Sequence, residues 1–102
     1  WLRPYAAYCY LRDKYGTPDY TQWGDDSPYN EDLNGAEGPI YLFIQYHLHQ
    51  QLKRAADYAH QHGVVLKGDI PIGISRTSVE AWCNPALFSL ESQAGAPPDA
   101  FA

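Results

Sequence analysis

The segment that most strongly constrains the architecture is Val64-Val65-Leu66-Lys67-Gly68-Asp69-Ile70-Pro71-Ile72. It opens with consecutive apolar residues instead of an alternating pattern, which is typical of a parallel strand covered on both faces. Pro71 has no amide hydrogen and is expected to end the strand pairing near Asp69. The segment therefore predicts a buried strand of an α/β fold over 64–72.

The residues before this strand predict a long helix over 39–62. Apolar side chains recur there at spacings of three and four, which is the period of a helix, and Gly63 is placed to end it in a left-handed conformation. The repeating positions are Ile40, Ile44, Leu48, Leu52, Ala55 and Ala59. A helix followed at once by a buried strand is half of a β-α-β unit, so the partners of the strand are expected elsewhere in a longer protein.

The rest of the chain predicts one further helix and two irregular regions. The helix is expected over 1–16 with Gly16 as its stop, and the residues at 17–38 lack any period and predict a loop. Ser78 is placed to cap a single turn within an otherwise irregular region over 73–102. One strand among these elements makes a mainly helical piece of an α/β protein.

Aromatic residues make up 15% of the chain, a content that suits proteins that stack rings on sugars. Packing on the first helix is the better explanation for four tyrosines: Tyr5, Tyr8, Tyr10 and Tyr15. Tyr20 and Trp23 lie in the predicted loop and need a surface to cover, which favours partners outside these residues.

Composition excludes several classes of function. The formal charge is −5 and the pI about 5.1, which disfavours nucleic acid and anionic membrane surfaces as partners. No apolar run is long enough to span a bilayer, and the N-terminus lacks the pattern of a signal peptide. Cys9 and Cys83 lie far apart in apolar company, which favours buried thiols in a cytoplasmic protein over a disulfide. The start at Trp1, the lack of methionine and the abrupt end favour a piece of something longer.

Asp69 is the residue that its position singles out for chemistry. A carboxylate at the C-terminal end of a buried parallel strand is where α/β enzymes place functional groups, although an acid there can also cap a turn or pair with an arginine. Nucleophile motifs and phosphate-binding glycine loops are absent. The histidines form two His-x-His pairs without ligands at suitable spacing, so no metal is expected. They are His47 with His49, and His60 with His62.

Three motifs near the end of the chain resemble glycoside hydrolase family 77, the amylomaltases or disproportionating enzymes. They are Leu66-Lys67-Gly68-Asp69-Ile70-Pro71-Ile72-Gly73-Ile74, then Ser78-Val79-Glu80-Ala81-Trp82 with Asn84-Pro85-Ala86-Leu87-Phe88, then Gly95-Ala96-Pro97-Pro98-Asp99 with Phe101. A further stretch, Tyr46-His47-Leu48-His49-Gln50-Gln51-Leu52, is similar to the branch with the plant cytosolic enzyme. Two positions depart from many members of the family, Thr77 where aspartate is frequent and Ala100 where tyrosine is frequent.

The resemblance implies a fragment of a retaining (β/α)8 barrel that transfers α-1,4-glucan segments to the 4-hydroxyl of another sugar, without a cofactor. It implies that 64–72 is a barrel strand and that Asp69 supports the site by fixing a neighbouring arginine. It also implies a substrate-side loop region over 73–102. There, substrate-binding residues are expected at Trp82, Pro97, Pro98, Asp99 and Phe101.

The resemblance places the nucleophile and the acid/base on later strands, so the chain alone is expected to be inactive. The implied partners are α-1,4-glucans and malto-oligosaccharides, with neither nucleic acid nor membrane, and exposed edges make a dimer of the fragment plausible. The alternatives are a non-catalytic module that binds glucan or protein, and a barrel glycosidase that hydrolyses.

Overall fold

The computed structural model describes residues 1–32, 38–93 and 95. Within these residues the chain forms three α-helices: α1 (Leu2–Tyr15), α2 (Pro39–Gln61) and α3 (Val79–Cys83). Single 3-10 turns lie at Tyr20–Gln22, Gly24–Asp26 and Pro85–Leu87. None of the helices in the described part is long and apolar enough to cross a membrane.

The ends of the predicted helices are confirmed. Gly16 follows α1 with a left-handed φ of 68°, and its amide donates to the Arg12 carbonyl. Gly63 follows the end of α2 with a φ of 73°. The N-cap of α3 is Ser78, whose hydroxyl oxygen accepts from the Ala81 amide at 3.2 Å. Side-chain capping satisfies an amide that a helix this short cannot pair internally.

The strand predicted over 64–72 does not form, since the described residues 1–32, 38–93 and 95 contain no strand. The apolar side chains of the segment are exposed instead, Val65 by 84% and Ile72 by 98%. A parallel strand needs a neighbour to accept and donate its ladder hydrogen bonds, and no described segment supplies one. The described residues are therefore helical or irregular, whereas the sequence pattern predicted a strand among the helices.

The buried core lies on one side of α1, where the 17–29 segment and α3 pack against it. Trp23 is fully buried there, and its indole N–H donates to the Thr17 carbonyl at 2.9 Å. The expectation that Trp23 needs partners outside the chain is therefore wrong. Sequence patterns miss this burial because Trp23 lies in an irregular segment and its covering side chains come mainly from α1 and α3. The buried side chains of the cluster are Ala7, Tyr8, Cys9, Leu11, Trp23 and Trp82.

Helix α2 contacts α1 only near its own start. Gly38, its N-cap, lies so close to α1 that a Cβ there would come within 2.6 Å of the Ala6 carbonyl oxygen. Tyr41 donates from its hydroxyl to the carboxylate of Asp13. No residue of α2 is buried, and the radius of gyration is 17.6 Å, against about 13 Å for a compact domain of this length.

Candidate functional site

Trp82 lies in α3, in the second of the three motifs that resemble glycoside hydrolase family 77. It is only 3% exposed, and its indole N–H donates to the Ser27 carbonyl at 2.8 Å. Its ring meets the rings of Trp23 at 5.4 Å and Tyr29 at 5.1 Å between centroids, both edge-on. Edge-on aromatic pairs stabilise a core beyond the area that they bury, so Trp82 fixes α3 to the core.

Tyr8 adds a second link between α1 and the segment before α3. Its hydroxyl contacts the Thr77 carbonyl and lies 3.2 Å from the Pro18 carbonyl oxygen. Burial raises the pKa of this hydroxyl because it disfavours the phenolate. Tyr8 thus remains a neutral donor that holds the chain just ahead of the α3 N-cap.

An open cleft of about 880 Å³ lies between the segments on either side of α3. One wall is formed by 72–76, and the other by 88–90, 92–93 and Gly95. We call it the α3 cleft. Hydroxyl pairs reinforce both sides, with Ser75 Oγ 3.0 Å from Thr77 Oγ1 and Ser89 Oγ 2.6 Å from Ser92 Oγ.

The lining of the α3 cleft suits a polyhydroxylated ligand. Arg76 and Gln93 supply donors, serine hydroxyls donate and accept, and Phe88 presents an aromatic ring. Flat rings and alternating polar groups match the apolar faces and hydroxyls of a sugar. No carboxylate belongs to the described lining, and glycoside cleavage requires a pair of them. The described lining therefore has groups of the kind that contact sugars and lacks the carboxylate pair that breaks a glycosidic bond.

Comparison with known proteins assigns the chain to a family. All of its residues, 1–102, match the family model of glycoside hydrolase family 77, described as 4-alpha-glucanotransferase. The chain belongs to this family. It is 46% identical to the 4-alpha-glucanotransferase DPE2 of rice (Oryza sativa subsp. japonica), with 99% of the chain aligned. It is 32% identical to the 4-alpha-glucanotransferases of Aquifex aeolicus, over 99% of the chain, and of Chlamydia muridarum, over 97%.

The chain spans only part of each of these relatives. It covers 12% of the rice protein, 24% of the Aquifex aeolicus protein and 20% of the Chlamydia muridarum protein. No solved structure matches it.

Asp69, the residue that the family resemblance singles out, is exposed. One of its carboxylate oxygens accepts from the amide of the next residue, Ile70, at 2.9 Å. It precedes the first lining residue of the α3 cleft, Ile72, by three positions in the family 77 motif. A hydrogen bond to the next residue is weak restraint, so the carboxylate remains available to a ligand or an arginine.

The other expected binding residues fall into two groups. Pro97, Pro98, Asp99 and Phe101 lie outside the described residues. Trp82 is described and is only 3% exposed. The rings of Trp23 and Tyr29 pack edge-on against it, so the described residues add no support for the direct substrate contact that the resemblance implied.

Two of the four histidines, one in α2 and one at its C-cap, pack against neighbouring aromatic rings. His47 lies 4.3 Å from the ring of Phe43, and His62 lies 4.2 Å from the ring of Tyr58. Nδ1 of His62 is also 2.8 Å from the Tyr58 carbonyl oxygen. Across residues 1–32, 38–93 and 95, no group of three or more His, Cys, Asp or Glu side chains could hold a metal ion.

The sequence analysis expected a substrate-side loop region over 73–102 but did not single out Arg76 or Phe88 as binding residues. Both lie in irregular segments, where spacing carries no information about which side chains meet. The first wall overlaps the end of the Asp69 motif, and the second begins at Phe88, the last residue of the Asn84–Phe88 motif. The structure is needed to show that these two motif regions border one cleft.

Proposed function

We propose that the protein to which this chain belongs is a 4-alpha-glucanotransferase that moves α-1,4-glucan segments between sugars. The observation that carries this proposal is the match of every residue to the family 77 model. The relatives reported above are named as enzymes, so the non-catalytic module gains no support. The described part of the chain contributes binding groups, and the covalent chemistry belongs to carboxylates outside the α3 cleft.

In this proposal the α3 cleft binds a stretch of the donor glucan. Phe88 offers a stacking surface, while Arg76 and the serines of both walls bond to sugar hydroxyls. Asp69 orients an arginine beside the bound glucose, and Pro97, Pro98, Asp99 and Phe101, which lie outside the described residues, contact the donor glucan. A glucan, which has many hydroxyls and no charge, suits a lining in which hydroxyl and amide groups accompany apolar residues.

The chemistry is retaining transfer. One α-1,4 bond of the donor is broken, a glucosyl-enzyme forms on a carboxylate, and the 4-hydroxyl of an acceptor sugar then displaces that carboxylate. One glycosidic bond is lost and one is made, so no water is consumed. Closing the site against water favours transfer over hydrolysis.

The exposed segment 64–72 supports a barrel architecture for the whole protein. Its β-branched side chains are exposed without a neighbouring described strand, and burying them stabilises by roughly 25 cal/mol per Å². We place this segment as one strand of a (β/α)8 barrel acting on starch-derived glucans and maltose in the cytoplasm. The free thiols Cys9 and Cys83 are in keeping with a reducing compartment.

The chain on its own should pair with a second copy. Helix α2 exposes a row of apolar side chains: Ile40, Phe43, Ile44, Leu48 and Leu52. A face of this size on an isolated chain favours association. Analytical ultracentrifugation of the chain should therefore show a dimer, and a monomer at every concentration would refute this part of the proposal.

The test of the activity is to incubate the full-length protein with maltotriose. Transfer predicts glucose together with oligosaccharides longer than maltotriose, while the total number of reducing ends stays constant. Hydrolysis predicts that the reducing ends increase, and no product at all would refute both. The 102-residue chain alone should give no product.

A pair of variants tests the assignment of Asp69. Asp69→Asn should lower kcat/KM by at least about tenfold, since the carboxylate orients the donor site. Asp57→Asn is the matched control, because Asp57 is an exposed acid on α2 whose partner is Lys53 at 2.6 Å. Equal activity of the two variants would exclude a role for Asp69 at the site.

A further inference from the structure

Both walls of the α3 cleft are joined to one short unit, residues 77–87, which contains α3 and the turn after it. The first wall, 72–76, runs directly into Thr77 and the N-cap Ser78. The second wall begins at Phe88, immediately after the turn Pro85–Leu87 that follows α3. The separation and orientation of the walls therefore depend on how residues 77–87 are held.

Residues 77–87 are not stable as an isolated unit. Helix α3 has five residues, and helices this short are unstable alone because nucleation costs more than a few hydrogen bonds return. Its buried side chains are Ala81 and Trp82, and Trp82 makes its long-range hydrogen bond, to Ser27. Its ring also lies 6.0 Å from that of Tyr8, whose hydroxyl contacts the Thr77 carbonyl at the start of the same unit.

We infer that Trp82 is a positioning residue for glucan binding: its burial fixes α3, and α3 sets the separation of the two cleft walls. This inference rests on the proposed function and adds a role to a residue that does not touch the ligand. The described lining of the α3 cleft holds no carboxylate. A change in the position of its walls therefore alters the affinity for the donor more than the rate of bond cleavage. Trp82 thus affects glucan binding by setting the positions of Phe88 and Arg76, and not by touching the glucan itself.

The matched pair of variants is Trp82→Phe and Trp23→Phe, made in the full-length protein. Both remove an indole from the same aromatic cluster, and both remove an indole hydrogen bond to a backbone carbonyl. Only Trp82 lies on the unit that carries the walls. Loss of stability is common to the pair, and assays are run well below both unfolding midpoints.

Two measurements decide the inference. Trp82→Phe should raise KM for maltotriose by about 3- to 10-fold with kcat within about twofold of the unsubstituted protein, and Trp23→Phe should change KM by less than about twofold. Trypsin cleavage after Arg76, in the first wall, should accelerate in Trp82→Phe by more than about threefold and stay unchanged in Trp23→Phe, because cleavage follows local opening.

The outcomes separate the inference from the proposed function. Equal KM changes in the two variants, or a fall in kcat without a KM change, would overturn the inference. An unsubstituted protein without transferase activity would refute the proposed function instead, and Arg76 cleavage would then still decide whether Trp82 orders the wall. If Trp82→Phe fails to fold, Trp82→Tyr with Trp23→Tyr as its control gives the same comparison.

Discussion

Helices α1 and α2 both carry apolar side chains, yet only α1 buries them. Five of its residues are buried, among them Tyr8 and Leu11, because the 17–29 segment and α3 close over one side. Helix α2 is longer and has the clearer apolar period, but Leu48, in the middle of its apolar row, is 50% exposed. Periodicity therefore marks a face that must be covered without saying whether this part of the chain covers it.

The contrast separates two kinds of stability within one sequence. The aromatic cluster around Trp23 and Trp82 is closed by residues of this chain, so its contribution to stability is present here. The surface formed by α2 and 64–74 makes its contribution only when something covers it. The predicted strand at 64–72 belongs to the second kind, which is why its pattern was clear and its structure is absent.

The largest expected effect tests whether stability resides in the aromatic cluster. Trp23→Ala should lower the free energy of unfolding by about 3–5 kcal/mol, since it empties a fully buried site. At concentrations where the chain is monomeric, so that no second copy covers α2, Leu48→Ala should change it by less than about 0.5 kcal/mol, because the side chain is half exposed and alanine favours helix. Urea denaturation followed by circular dichroism measures both, and equal losses would contradict the contrast between the helices.

The next effect concerns the closest approach between α1 and the start of α2. Gly38→Ala should lower stability by about 1–3 kcal/mol, because the added Cβ meets the Ala6 carbonyl oxygen at 2.6 Å and forces α2 away from α1. Gly68→Ala is the control, since a Cβ there meets nothing within 4 Å. Thermal denaturation should separate the two variants. A neutral Gly38→Ala would mean that α1 and α2 do not pack closely.

Local rules predicted the helices well, because the signals that start and stop a helix act over a few residues. Gly16, Gly63 and Ser78 each perform the capping role expected from sequence. The long-range features were not predictable in this way. The burial of Trp23 depends on side chains that reach it from α1 and α3, and no spacing within 17–38 encodes that arrangement.

The candidate site shows the same division. Asp69 was identified from its place after an apolar run, a local pattern, whereas the α3 cleft arises from two irregular segments that α3 brings together. For Trp82 the sequence motif was recognisable, but the burial of its ring was not. Its contacts with Trp23 and Tyr29 come from segments far apart in the sequence, and only the structure shows them.

A smaller effect is expected at the cap of α3, which joins the cluster to the cleft. Ser78→Ala should cost about 1 kcal/mol, because the Ala81 amide loses its acceptor. Ser78→Thr retains a capping oxygen and should lose less. Urea denaturation of the two variants measures the difference, and equal losses would show that the cap oxygen does not stabilise α3.

A pH-dependent effect is expected at Cys83, the C-terminal residue of α3. Burial, with a smaller contribution from the nearby Glu80 carboxylate, raises the pKa of the Cys83 thiol to about 11, against about 8.5 for an exposed cysteine. Between these pH values the unfolded chain releases the thiol proton while the folded chain keeps it. Titration of Cys83 therefore leaves the free energy of unfolding unchanged below about pH 8.5 and lowers it as pH rises towards 11.

Cys83→Ala removes this titration while leaving every other group that ionises near pH 10 in place. From pH 7.5 to about 10 the unsubstituted chain should therefore lose more stability than Cys83→Ala does. Urea denaturation at both pH values measures it, and a constant difference would mean that the thiol titrates as it does in water. Cys83 packs against the cluster that holds Trp82, so a constant difference would also mean that solvent reaches this cluster at the end of α3. The cluster would then resemble the exposed surface of α2 at the position that holds the cleft walls.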